Sequence, residues 1–283
     1  MNVIEVTGLR KSYASLEAIR GIDLSITKGE IFSLLGPNGA GKTTTVEILE
    51  GFRTRDSGEV KVLDFDPATQ GHASREWRNR IGIVLQSTSD AGDLTVYETI
   101  SHFAGYYSNP RKADEVIQAV GLEEKSKELI RSLSGGQRRR LDVALGIVGN
   151  PELLFLDEPT TGFDPEARRA FWSLIDNLRK DGTTILLTTH YLDEAEALAD
   201  RVAVINHGQI IEISTPEHLG GRSSSKATVT WRENGQLKSM ETQNPTALVS
   251  SMSPQFAGEI PELSITRPSL EDIYLKMIGH ANE

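Results

Sequence analysis

Three observations predict an α/β fold built on a mostly parallel sheet. Short apolar runs of strand length (Ile31 to Leu35, Ile81 to Leu85, Leu153 to Leu156, Thr184 to Thr188) read as strands buried on both faces. Segments with a helical period separate them. The first run passes straight into a glycine-rich loop and then a helix, as expected where short buried strands alternate with helices.

The elements follow in order. Val3 to Thr7 and Gly21 to Ile26 alternate, and a turn at Lys28-Gly29-Glu30 follows, so an antiparallel β subdomain precedes the first core strand. A helix is expected near Thr43 to Glu50. From Leu94 to Gly121 the pattern is helical, with Ala113, Val116, Ile117 and Val120 on one face. It belongs to an inserted helical subdomain at about 88–148. After Leu156 a helix starts at Asp164-Pro165-Glu166, where Asp caps and Pro takes the first helical position. Its apolar face is Ala167, Ala170, Phe171, Leu174, Ile175 and Leu178. The strand Thr184 to Thr188 ends at Thr189-His190, and another helix follows.

Composition changes after about Pro216. Gly220 to Ser225 reads as a linker, Ala227 to Trp231 and Leu263 to Thr266 as strands, and Glu233-Asn234-Gly235 as a turn. A last helix starts at Pro268-Ser269, with Ser269 and Asp272 spaced as a capping box and Leu270, Ile273, Tyr274 and Met277 as its stripe. The expected organisation is a large domain at 1–217 and a small α+β accessory domain at 218–283.

The 283 residues carry 30 basic and 40 acidic side chains, a formal charge of -10, which argues against broad binding to a nucleic-acid backbone. Without cysteine there is no disulfide and no thiolate metal site. The N-terminal residues lack a basic region and a long apolar region, so no secretory signal is expected. No apolar run nears the roughly 20 residues that span a bilayer.

Gly36-Pro37-Asn38-Gly39-Ala40-Gly41-Lys42-Thr43 fits G-x-x-x-x-G-K-[ST]. Its glycines let backbone N–H groups converge on phosphate oxygens, and the helix that follows turns its positive end to the anion. Lys42 is placed for the β/γ-phosphates and Thr43 for Mg²⁺. Leu153-Leu154-Phe155-Leu156-Asp157-Glu158 is a buried strand ending in two carboxylates. Asp157 is placed to hold Mg²⁺ through water and Glu158 to act as general base. Strand-end acids are common, and the phosphate loop is what gives this pair its meaning. In Leu133-Ser134-Gly135-Gly136-Gln137, Ser134 and Gln137 are spaced as a capping box. Two glycines in a first helical turn lose about 1 kcal/mol each relative to Ala, and their bare backbone makes a second phosphate site.

This last motif resembles the signature of ABC transporter ATPases, and with the phosphate loop the resemblance covers most of residues 1 to about 215. It implies that the signature (Ser134, Gly135, Gly136, Gln137) closes on ATP held by a second copy. The implied nucleotide-binding set is Tyr13, which stacks on adenine, with Gly36, Pro37, Asn38, Gly39, Ala40, Gly41, Lys42, Thr43 and Thr44. The implied catalytic set is Glu158, His190 at the γ-phosphate and Gln86. Thr43, Gln86 and Asp157 (through water) are the implied Mg²⁺ residues. Gly162-Phe163-Asp164 resembles the loop that crosses between the two ATP sites.

Ser134 to Asp142, Asp157 to Pro165 and the ending Pro268 to Leu275 are similar to the ATPases of daunorubicin-resistance-type bacterial exporters. That likeness implies ATP with Mg²⁺ as cofactor, an ATP-dependent homodimer and a separate type-2 permease, on the inner face of the bacterial membrane. Drugs, antibiotics and lipids are the cargo class. The alternative is a soluble ABC ATPase acting on nucleic acid or ribosomes. Such relatives usually carry a second ATP module or a coiled-coil insertion, neither of which is found here, and no nucleic-acid partner is expected. The run Arg138-Arg139-Arg140 is expected on a solvated helix face or against an acidic partner.

Overall fold

The computed structural model describes residues 1–84, 92–256 and 258–280. The chain divides into two compact units, 1–213 and 214–283.

The first unit opens with β1 (Asn2–Tyr13) and β2 (Leu16–Thr27). β3 (Ile31–Leu35) enters a central sheet and α1 (Lys42–Leu49) leaves it, while β4 (Ser57–Val62) returns beside β1 in a three-stranded antiparallel sheet of order β2-β1-β4. α2 (His72–Arg78) leads to β5 (Ile81–Val84). Then come the helices α3 (Val96–Ala104), α4 (Ala113–Ala119) and α5 (Gly135–Ile147). The rest is β6 (Leu153–Asp157), α6 (Pro165–Lys180), β7 (Thr184–Thr189), α7 (Leu192–Leu198), β8 (Arg201–Asn206) and β9 (Gln209–Ser214). The central sheet has the order β5-β6-β7-β3-β8-β9. Its pairs from β5 to β8 are parallel.

Strands β3, β6 and β7 are apolar without alternation because both faces are covered. Leu153, Phe155 and Leu186 join a core with Ile4, Leu9 and Ile22 of the antiparallel sheet. Leu154, Leu156, Ile185 and Leu187 join a second core with Val143 and Ile147 of α5 and Phe171 and Ile175 of α6. Neighbouring residues feed opposite cores, as a period of two requires. Each such side chain contributes roughly 1.5–3 kcal/mol on burial.

One seam needs glycine on both sides. A Cβ on Gly82 of β5 would lie 2.1 Å from the carbonyl oxygen of Gly146 in α5, and one on Gly146 would lie 2.5 Å from Val84. Neither of these two positions has room for a side chain.

The predicted helical stretch from Leu94 to Gly121 is two helices, α3 and α4. Thr95 and Glu98 form a capping box that starts α3. The break covers residues 105–112 and contains Pro110, which has no N–H to continue a helical ladder. Val116, Ile117 and Val120 are buried as their spacing predicts. Asp164 caps α6 and Pro165 opens it. The buried face of α6 is Phe171, Leu174, Ile175 and Leu178, and Ala170 is exposed.

The second unit holds β10 (Ala227–Glu233), β11 (Gln236–Thr242), α8 (Pro245–Met252), β12 (Ser264–Thr266) and α9 (Leu270–His280). The sheet has order β11-β10-β12, with antiparallel pairs. Asn234 and Gly235, at φ 52° and 78°, make the two-residue hairpin turn. Val229, Trp231, Met252 and Ile260 form its core. The Gly220–Ser225 stretch is no open spacer. Residues Leu219–Ser224 form a 3₁₀ segment inside the second unit, with Gly220 packed against Ile273 of α9. The α9 stripe is thereby used within its own unit, where Leu270 and Ile273 are buried.

The unit 1–213 holds both large cores. A chain ending at Glu217 is expected to fold, with a cooperative thermal transition and ATP affinity equal to that of the full chain. Titration calorimetry checks it, and loss of ATP binding would contradict it.

Candidate nucleotide site

The site forms at the carboxyl edge of the parallel sheet, where ligands of open α/β sheets bind. Three neighbouring strands supply it: β3 runs into the phosphate loop, β6 ends at Asp157-Glu158, and β7 ends at Thr189-His190.

The loop from Gly36 to Gly41 is tightly seated. A Cβ on Gly36 would lie 2.4 Å from the carbonyl oxygen of Ile205, and Gly41 sits at φ 108°. Ala40 is buried beneath the loop, while Pro37 is half-buried and Asn38 and Gly39 are exposed. Lys42 opens α1 and is buried, its Nζ donating to the carbonyls of Gly36 at 2.7 Å and Pro37 at 3.3 Å. Burial pulls its pKa down, and the charges of Glu158 and Asp157 oppose that. Thr43 is exposed on the first turn and Thr44 is half-buried.

The carboxylates are held by β7. Thr188 Oγ1 donates to Asp157 Oδ1, and the Glu158 N–H donates to the Thr188 carbonyl at 3.1 Å. Glu158 has φ 43°, in the left-handed region. Its Oε1 lies 3.3 Å from His190 Nδ1. The His190 ring lies against Tyr191 at 4.1 Å between centroids, and Arg168, paired with Asp193, sits over Tyr191. The fold thus gathers Lys42, Asp157, Glu158 and His190. Gln86 lies outside the described residues.

Tyr13 ends β1 and is 36% exposed, so it is not a core tyrosine. Two cations lie over it, Arg53 at 5.4 Å and Lys11 at 5.6 Å from the ring centre. Arg53 also pairs with Glu47. At the start of α5, Ser134 Oγ accepts from the Gln137 N–H and Gln137 Oε1 accepts from the Ser134 N–H. Added Cβ atoms on Gly135 and Gly136 would meet nothing within 4 Å, so the backbone there faces open space. The Asp164 carboxylate accepts from the Ala167 N–H.

The expectation for the three arginines needs correction. Arg139 is buried, and Arg138 and Arg140 are half-buried. Each donates to a backbone carbonyl: Arg138 to Ile130, Arg139 to Asp157 and Pro159, and Arg140 to Gly121. The chain packs over Arg139, which is therefore no part of a solvated face, while Arg138 and Arg140 keep part of their surface exposed.

Sequence reasoning also missed Glu50 at the end of α1. Burial, then the charges of Asp157 and Glu47, raise its pKa to about 8. Asp157 and Thr43 are oxygen donors, which suits Mg²⁺. So small a set of protein oxygens suits an ion that keeps several waters.

Residues 19–161 match the family described as ABC transporter. The chain is 36% identical over 308 residues to the daunorubicin/doxorubicin resistance ATP-binding protein DrrA of Streptomyces peucetius, covering 98% of this chain and 92% of that one. It is 40% identical to the Nod factor export ATP-binding protein I of Ralstonia nicotianae (77% of this chain, 68% of that one). It is 35% identical to the linearmycin resistance ATP-binding protein LnrL of Bacillus subtilis (80% and 75%). Among solved structures, cbiO1 from Clostridium perfringens, part of an ABC transporter complex, has a TM-score of 0.70 at 29% identity (77% of this chain, 90% of that one). The ATP-binding cassette MJ0796 bound to ADP and Pi shares the fold, with a TM-score of 0.68 at 24% identity (75% and 98%).

Lys42→Ala is expected to abolish turnover and to weaken ATP binding by about 1.5–3 kcal/mol, the worth of hydrogen bonds to a charged group; calorimetry checks it. Glu50 gives a pH prediction. Its folded pKa of about 8 exceeds the unfolded value of 4.5, so the folded state binds more protons between those values. Stability therefore falls as pH rises through that window, by up to about 1.4 kcal/mol per unit. Glu50→Gln is expected to flatten the melting profile between pH 5 and 9 and to be the more stable protein at pH 9.

Proposed function

We propose a specific role for this chain, which belongs to the ABC transporter family and is an ATP-hydrolysing transport ATPase: it drives an exporter. Two copies face head to tail and sandwich two Mg·ATP, and a separate type-2 permease rides on their closing and opening. The cargo is a drug, an antibiotic or a lipid-like compound, in keeping with relatives named for daunorubicin resistance, linearmycin resistance and Nod factor export. The subunit works at the inner face of a bacterial membrane. Among the described residues no helix is long and apolar enough to cross one.

The observation that carries the hydrolytic part is the Glu158–His190 contact at 3.3 Å beside the phosphate loop. Lys42 exchanges its loop carbonyls for β/γ-phosphate oxygens, and Tyr13 stacks on adenine. Glu158 accepts the proton of the attacking water as general base. His190 orients the Glu158 carboxylate and reaches the γ-phosphate, and Gln86 fixes the water. Asp157, through water, Thr43 and Gln86 would hold Mg²⁺. When bound, the ion neutralises charge on the phosphates. Ser134 to Gln137 complete the partner's site, and Asp164 lies on the loop that crosses between the two. Closed and open states bind ATP and ADP differently, which supplies the work.

The test is trapped dimerisation. Glu158→Gln removes the base but keeps the shape, so ATP is expected to convert the monomer to a stable dimer, read by gel filtration with light scattering. Adding Gly135→Asp sets a carboxylate against the partner's γ-phosphate, a repulsion of about 4 kcal/mol for charges near 4 Å at intermediate dielectric. The double variant is expected to bind ATP and stay monomeric. A single variant that stays monomeric even with its permease, or a double variant that dimerises, contradicts the shared site.

A further inference from the structure

Glu158 is a non-glycine residue at φ 43°, a conformation that persists only where surrounding structure holds it. What holds it is visible. One guanidinium grips the backbone on both sides: Arg139 Nη2 donates to the Asp157 carbonyl at 3.0 Å, and Nε donates to the Pro159 carbonyl at 2.9 Å. Between them the Glu158 N–H is fixed on the Thr188 carbonyl of β7. The residue before, the residue after and the amide of Glu158 itself are thus all tied.

The clamp is built for rigidity. Arg139 is 7% exposed. Its Nη1 lies 3.8 Å from Asp142 Oδ2, a residue on the same helix. Burial pulls the Arg139 pKa down, while Asp142, Asp157 and Glu194, the acidic groups that face it, oppose that. An arginine stays charged under such conditions, and its planar fork reaches two acceptors at once. A lysine at this position offers a point charge in place of that fork. Arg139 is the fifth residue of α5, the helix opened by Gly135 and Gly136.

We propose that Arg139 is a positioning residue for Glu158, fixing the left-handed backbone that aims the carboxylate at His190 and the water. This rests on the reading of Glu158 as general base. The helix that offers Ser134 to Gln137 to a partner's phosphates thereby also fixes this chain's own base.

The experiment compares Arg139→Gln and Arg139→Lys with Glu158→Gln, measuring kcat, KM, ATP affinity by calorimetry and Tm. In Arg139→Gln, kcat is expected to fall about 100-fold, the scale of a 1 Å misplacement of a catalytic group. KM and ATP affinity should stay within about twofold of the starting protein, since both carbonyls accept from Arg139 and neither belongs to the phosphate loop. Arg139→Lys is expected to recover part of kcat, and it serves in place of the glutamine variant if that one does not fold. Arg139→Gln placed in the Glu158→Gln chain should leave the ATP-trapped dimer intact. The proposal is overturned if kcat stays near normal in both arginine variants while Glu158→Gln is inactive. It is overturned equally if kcat and ATP affinity fall together by the same factor, which marks a packing role alone. Turnover retained in Glu158→Gln would instead remove the general-base reading.

Discussion

The site depends on one pairing, that of β6 with β7 in the register that sets Thr188 beside Asp157. Through it Thr188 supplies a hydroxyl to Asp157 and a carbonyl to the Glu158 amide. His190 follows two residues later, within reach of Glu158. A shift of one residue would turn every side chain of β7 to the opposite face. Leu187 would then leave the core it shares with Leu156, and Leu186 the one it shares with Phe155. The apolar alternation between two cores therefore fixes the register, and the register fixes the polar groups at the strand ends.

Those polar groups are held at some expense. Lys42 and Arg139 are buried cations, and Glu50 is a buried carboxyl whose pKa is raised. Burying a charge is unfavourable unless it is partnered. Lys42 finds loop carbonyls and the field of two carboxylates, and Arg139 finds two carbonyls and Asp142. Glu50 is met by further negative charge and holds its proton. The region gathers more charge than a core needs, as sites of perturbed ionisation tend to do.

Much of this was legible in the residues. The unalternating runs of β3, β6 and β7 announced strands covered on both faces, and the α/β fold follows from them. The capping boxes at Ser134 and Ser269 formed at their predicted positions because a short-range spacing specifies them. The failures share a cause. Arg138 to Arg140 point in three directions around a helix, and only the packed surroundings say which carbonyl each one meets. The glycines and serines from 220 to 225 carry the composition of a spacer, but the contact of Gly220 with Ile273 lies some fifty residues away in the chain. The break between α3 and α4, by contrast, carries a local signal, Ser108-Asn109-Pro110, at which the apolar period lapses. Glu50 looked like an ordinary acid at the end of a helix, and only burial near Asp157 distinguishes it.

The seam between Gly82 and Gly146 bears on mechanics. Packed interiors have low compressibility, and here the α5 backbone at Gly146 comes close to β5 at Gly82, with the short, stiff Val84 side chain packed on Gly146. α5 and β5 are therefore coupled stiffly at this point, and torque applied to the helix passes into the sheet. The other helices, α3 and α4, pack on α5 through Val96, Ile100, Val116 and Ile117, in one core with Val143 and Ile147. The contact of this helical layer with the sheet at Gly82 thus behaves as a fixed bearing.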